Sequence, residues 1–189
     1  MSSILDLPSI RERLARLSVE EYHRQPERNA HGRRTELIRG LVIEKMSKSP
    51  RHEATIKRLF RIIWNAVGQS HVVSKESPLT FRDSEPEPDI AIVAGQDDDF
   101  TAEQPHTALL GVEVAVSSTA EDRELATLYA EAGVAEYWIV LPAAHSIEVY
   151  RQPENGRYRE MRLYTGSDIL ECASVPGVRL ALGELFAGL

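Results

Sequence analysis

Residues 112–142 read VEVAVSSTAEDRELATLYAEAGVAEYWIVLP, and this stretch decides the fold class. Its first run, extended back to Ala108 (ALLGVEVAV, Ala108–Val116), is apolar on both sides except at Glu113, the pattern of a buried strand. Ser117, Ser118 and Thr119 suit the cap of a helix expected over Ala120–Ala132, which Gly133 ends. Glu136–Leu141 (EYWIVL) is another buried run. Two buried strands with a helix between them predict a crossover within one sheet.

Upstream, Ile90–Val93 is a further buried strand, preceded by the acidic, proline-rich RDSEPEP of Arg82–Pro88, which is extended or turn-like. Between Arg51 and Val67, Ile56, Leu59, Phe60, Ile63, Trp64 and Val67 form one apolar stripe at helical spacing. Pro50 suits the first turn of that helix, and Gly68 is expected to end it in a left-handed conformation. His71–Ser74 and Pro78–Phe81 read as short strands. Thr35–Ile38 and Leu41–Met46, separated by Arg39-Gly40, read as a hairpin. The segment Ser2–Asn29 reads as one or two short helices. Ile10, Leu14 and Leu17 make an amphipathic stripe there, and Ser18 with Glu21 makes a capping box. His31 to Arg34 is a polar link. Downstream, Ser146–Tyr150, Tyr158–Tyr164 and Val178–Leu180 are strand candidates, and Leu182–Phe186 a helical turn. The fold class is α/β, a mixed β-sheet flanked by helices. The expected organisation is an N-terminal helical segment (1–30), a core (31–150) and C-terminal strands completing the domain (151–189).

Composition narrows the function. Of 189 residues, 42% are hydrophobic, enough for a core. No apolar run approaches the roughly 18 residues of a membrane span. The N-terminus lacks the pattern of a secretory signal, and a single cysteine, Cys172, rules out an internal disulfide, so a cytoplasmic protein is expected. With 22 basic and 29 acidic residues the net charge is −7, so there is no global attraction for nucleic acid. Charge is nonetheless segregated. Arg33, Arg34, Arg39, Lys45, Lys48, Arg51, Lys57, Arg58 and Arg61 cluster in sequence, either as a local basic patch or as solvated faces.

Asp89 opens a buried strand and Glu113 lies within one. An unpaired buried carboxylate is costly, so such groups are paired, protonated or metal-bound. Carboxylates converging at a sheet end supply hard oxygen ligands for Mg²⁺ or Mn²⁺. The competing reading pairs Glu113 with a core arginine or a helix N-terminus.

Three stretches carry a more specific signal: TELIRGLVIEKMSKSPRHE (Thr35–Glu53), SPLTFRDSEPEPDIAIV (Ser77–Val93) and the stretch Val112–Pro142 quoted above. Together they resemble the Uma2 family of restriction-endonuclease-like proteins, within the PD-(D/E)xK nuclease superfamily, over roughly Leu17 to Tyr150. The resemblance implies a restriction-endonuclease-like mixed β-sheet flanked by helices. It implies that Asp89 and Glu113 bind the metal, that Glu36 is an additional acid from the early hairpin, and that His52 is the family's frequent histidine at the start of the first long helix. The implied function is a Mg²⁺- or Mn²⁺-dependent endonuclease acting on DNA.

One position departs from the pattern. The resemblance places the family's lysine on the helix after the glutamate, in a pattern like D-R-x-K-A-x-x-Y-A. Here Asp122–Ala130 reads DRELATLYA, so Leu125 stands at the lysine's place, and the alternative E-x-K position is Ala115. Arg123, two residues from Leu125, faces elsewhere on a helix. Lys45, Lys48 and Lys57 are the cations that the hairpin or first long helix offers instead. Two other readings therefore stand beside the active enzyme. One is a catalytically impaired nuclease-fold protein with a binding or regulatory role; the other is a structural oligomerisation domain. A homodimer is the expected assembly, with Ile10, Leu14 and Leu17 and the apolar tail from Val175 to Phe186 either as interface material or, for part of it, as cover for the chain's own sheet.

Overall fold

The computed structural model describes residues 4, 7–25, 34–68 and 70–189. These fall into two units: the described part of Met1–Lys45 with Arg82–Glu85, and Met46–Phe81 with Pro86–Leu189. His31 and Arg33 lie outside the described residues.

The first unit holds α1 (Pro8–Arg11), α2 (Val19–Arg24) and a hairpin of β1 (Thr35–Ile38) and β2 (Leu41–Glu44). The hairpin turns on Arg39 (φ 52°) and Gly40 (φ 77°), the mirror-image turn that matches strand twist. Gly40 is required twice over, because a Cβ there would also lie 2.6 Å from Arg16 Cβ. The Ser18–Glu21 capping box forms, with bonds of 3.1 and 2.8 Å. The amphipathic helix expected through Ile10, Leu14 and Leu17 does not. Helix α1 ends at Arg11, and the Leu17 amide is instead used on the Gly40 carbonyl, at 2.9 Å. Residues 82–85 join through the Glu85 amide on the Leu37 carbonyl and the Arg39 amide on Ser84 Oγ.

The second unit begins with α3 (Pro50–Ala66), β3 (His71–Ser74), β4 (Ile90–Ala94) and β5 (Leu110–Val114). It continues with α4 (Thr119–Glu131), β6 (Glu136–Leu141), β7 (Ser146–Glu154) and β8 (Arg157–Thr165). It closes with β9 (Ile169–Glu171), β10 (Arg179–Ala181) and α5 (Leu182–Leu185). Strands β3 to β8 form one sheet in sequence order. Every neighbouring pair is antiparallel except β5–β6, which α4 connects as the crossover that a parallel pair needs. Strands β9 and β10 pair separately.

The strands alternate between two faces. On one, Ile90, Ile92, Val112, Trp138 and Val149 pack with Ile56, Leu59 and Ile63 of α3 and with Leu170, Val178, Leu180, Leu185 and Phe186. The tail residues from Val175 to Phe186, expected as interface material or as cover, are therefore largely core of this unit. On the other face, Tyr129 of α4 stacks on Tyr137 of β6, with ring centroids 4.5 Å apart. Two local expectations fail here. Gly68 is not left-handed, because α3 ends on an extended Val67 (φ −83°, ψ 132°). Pro78–Phe81 is not a strand: Leu79 and Thr80 donate to Pro86 and Pro105 carbonyls, so they belong to no ladder.

Candidate active site

Register brings the two acids together. Strands β4 and β5 pair antiparallel with Ile90 opposite Val112 and Ala91 opposite Gly111. The same register puts Asp89 opposite Glu113, and directly opposed residues of an antiparallel pair point to the same face. The Asp89 amide donates to Glu113 Oε2 at 3.4 Å, and the Val114 amide donates to Asp89 Oδ2 at 2.8 Å. The carboxylates thus sit side by side where β4 begins and β5 ends.

Each acid is held by other elements. Helix α3 starts at Pro50, with the Ser49 hydroxyl accepting from the His52 amide at 3.3 Å. That cap sets His52 in the first turn, where its Nε2 lies 3.1 Å from Asp89 Oδ2. The other ring nitrogen, Nδ1, is buried and has no hydrogen-bond partner. Lys48, just before the helix, places its Nζ 3.0 Å from Asp89 Oδ1 and 2.7 Å from Glu76 Oε1. From α4, Tyr129 donates its hydroxyl to Glu113 Oε1 at 2.9 Å.

Burial of Asp89 works against its charge. The hydrogen bond and charge of His52, the Lys48 ammonium and the Val114 amide outweigh it, so the carboxyl titrates below its ordinary value. Lys48 shows the converse balance. Burial pulls its ammonium down, but Glu76 and Asp89 prevail and raise it. Asp89 is therefore an anion and Lys48 a cation at neutral pH.

The remaining expected residues fall as follows. Glu36 lies in the first unit, where its Oε1 is 2.5 Å from Lys45 Nζ. Lys57 is largely exposed and lies 3.9 Å from Glu53. Arg123 pairs with Glu148 of β7. Leu125 is half-buried on α4, one turn before Tyr129 and so on the same helix face. Glu76 was not read from the sequence as a site residue. It sits in a turn at φ 53° and owes its place to two backbone carbonyls, those of Pro88 and Asp89, a tertiary feature with no local signature.

The donor chemistry fits a hard divalent cation. Two carboxylates suit Mg²⁺ or Mn²⁺, which are commonly held by one or two acids with water and substrate phosphate completing the shell. Among the described residues no group of three or more His, Cys, Asp or Glu side chains gathers as a full protein cage.

A mixed sheet flanked by helices, with paired acids at one sheet end, is the arrangement of a nuclease-like α/β protein. The particular family follows from the sequence: residues 19–183 match Uma2, described as "Putative restriction endonuclease", and the chain belongs to that family. Among solved structures it is similar to one described as a "putative nuclease belonging to DUF820" from Anabaena variabilis ATCC 29413. That likeness has a TM-score of 0.74 at 17% identity, covers 90% of this chain and 98% of the other, and shows a shared fold. No curated protein matches the chain. Among the described residues no helix is long and apolar enough to cross a membrane.

Proposed function

We propose that this protein is a Mg²⁺- or Mn²⁺-dependent endonuclease that hydrolyses DNA phosphodiester bonds in the cytoplasm. The observation that carries the reading is the cross-strand pair Asp89–Glu113, two acids on one face at one sheet end. Asp89 and Glu113 would hold the ion, which when bound polarises a phosphoryl oxygen as a Lewis acid. His52 orients Asp89 through its second oxygen, and Tyr129 orients Glu113. Hydrolysis joins a water oxygen to phosphorus and breaks one P–O ester bond. The water's proton passes to solvent, and the leaving oxygen takes one back.

The test is relaxation of supercoiled plasmid with Mn²⁺, with Mg²⁺ and with chelator. The expected result is nicking with either ion and none with chelator. Nicking that persists in chelator, or none with any ion, removes the reading. Leu125 favours a second reading, a catalytically impaired nuclease-fold protein with a binding role. Tight Mn²⁺ and DNA binding without nicking selects it. A two-fold homodimer is the assembly proposed for cutting both strands. The long edge strand β8 supports it, since Met161 and Leu163 are 58% and 52% exposed there.

A further inference from the structure

Leu125 lies one turn before Tyr129 on the face of α4 that sends Tyr129 to Glu113, so at position 125 that face carries a hydrocarbon side chain and no charge. A cation nevertheless stands at the carboxylates. Lys48 reaches Asp89 Oδ1 at 3.0 Å and Glu76 Oε1 at 2.7 Å, with its side chain only 20% exposed. It comes from the segment joining β2 to α3, an element remote in sequence from α4.

Three features fix it there. The Ser49 cap and Pro50 set where α3 begins, and hence the direction in which the chain delivers residue 48. His52, in the first turn, takes the other oxygen of the same carboxylate. Glu76 adopts a left-handed backbone (φ 53°) that non-glycine residues seldom occupy. Its amide faces the Pro88 and Asp89 carbonyls at 3.2 and 3.3 Å, which keeps its side chain beside Asp89. Strain at such a residue persists where its surroundings hold it, commonly at functional sites. Other lysines meet other acids: Lys45 pairs with Glu36, Lys57 lies 3.9 Å from Glu53, and Lys75 lies 3.7 Å from the Glu76 Oε1 that Lys48 reaches at 2.7 Å.

An ordinary ion pair is a weak explanation for Lys48. A largely buried pair gains little over apolar packing, because desolvation offsets the attraction. An ammonium is a compact charge on a flexible four-carbon stem, so its effect depends on where Nζ sits and not on which element delivers it.

We propose that Lys48 supplies the cationic function that position 125 lacks, standing beside Asp89 to stabilise negative charge that develops on the phosphoryl oxygens during hydrolysis. Glu76 is its positioning residue. The proposal rests on the nuclease reading above.

The test uses the full chain and compares wild type with Lys48→Ala, Lys48→Arg and the double variant Lys48→Ala/Leu125→Lys. Plasmid nicking rate, Mn²⁺ affinity from the electron paramagnetic resonance of free Mn²⁺, and thermal melting are read for each. Lys48→Ala is expected to slow nicking about 100-fold or more, the scale of removing one preorganised charge-stabilising group. Its Mn²⁺ affinity should be kept or improved, since a positive charge has left Asp89. Lys48→Arg should retain more activity than Lys48→Ala, and Leu125→Lys should recover part of the loss. If Lys48→Ala unfolds, Lys48→Gln keeps a hydrogen-bond donor without the charge and carries the same expectation. A folded, Mn²⁺-binding Lys48→Ala that nicks at the wild-type rate overturns the proposal. So does parallel loss of Mn²⁺ binding and nicking, which would reduce Lys48 to a support for Asp89. Wild type that nicks nothing with either ion removes the nuclease reading itself, and that is seen before any variant is compared.

Discussion

Asp89 gathers a ring nitrogen, an ammonium and a backbone amide around one carboxylate immediately before a buried strand. Replacing it with Asn keeps the shape and removes the charge. If Asp89 holds the ion as proposed, Asp89→Asn is expected to weaken Mn²⁺ binding about 100-fold or more and to abolish nicking, because a direct ligand counts for at least as much as its outer partners. Isothermal titration with Mn²⁺ checks this, and unchanged affinity would remove Asp89 from the metal centre. His52→Ala removes one of those outer partners, and a loss of roughly 10–100-fold in Mn²⁺ affinity or rate is expected. Wild-type values for both would leave His52 as packing alone. At this scale the sequence was half legible. Asp89 and Glu113 stood out because an acid in an apolar strand is an anomaly that needs a partner. Glu76 and the reach of Lys48 did not, because nothing local to either residue records that the chain folds it against Asp89.

Among the elements, α4 and β7 are tied by Arg123 and Glu148, with Tyr150 donating to the same carboxylate at 2.8 Å. The Arg123 hydrogen bond lowers the Glu148 pKa; burial opposes it, and Tyr150 and the Arg123 charge add to the lowering. A lowered folded pKa stabilises the protein above the unfolded value of about 4.3. That stability disappears as pH falls through the folded value. Glu148→Gln should therefore melt lower than wild type at neutral pH, and the gap should close in acid. A gap that stays constant down to the acid limit would show that packing, not charge, holds the contact. A second tie secures the tail. Glu136 of β6, 1% exposed, accepts from Arg151, from Trp138 Nε1 and from the Ala173 and Ser174 amides. Breaking such a buried pair from one side costs about 3–5 kcal/mol. Glu136→Ala should lower stability by that amount in chemical denaturation, and a change below about 1 kcal/mol would place the clasp among ordinary surface pairs. Helix α3 was readable because its apolar stripe, its proline and its serine cap agree. Its end was not, since a glycine after a helix permits a left-handed turn without requiring one, and here Val67 is already extended.

For the whole molecule, a self-complementary interface of at least about 1,000 Å² is expected if the protein works as a dimer. Multi-angle light scattering at micromolar concentration should return twice the chain mass, and a stable monomer removes the claim. Of the two uses open to the apolar tail, interface or cover, Leu180, Leu182 and Leu185 take the second, fully buried in the core of their own unit. The class of fold is legible in the residues alone. Buried strands, a crossover helix and a capped amphipathic helix are written in local periodicity, where backbone geometry and apolar spacing act over a few residues. The sequence also marked the two acids, because charge inside an apolar run is conspicuous without any structure. Which cation meets Asp89 depends on tertiary structure. Lys45, Lys48 and Lys57 are alike as residues. Only the antiparallel register of β4 on β5, the start of α3 and the turn at Glu76 place one ammonium, that of Lys48, within hydrogen-bond distance of Asp89.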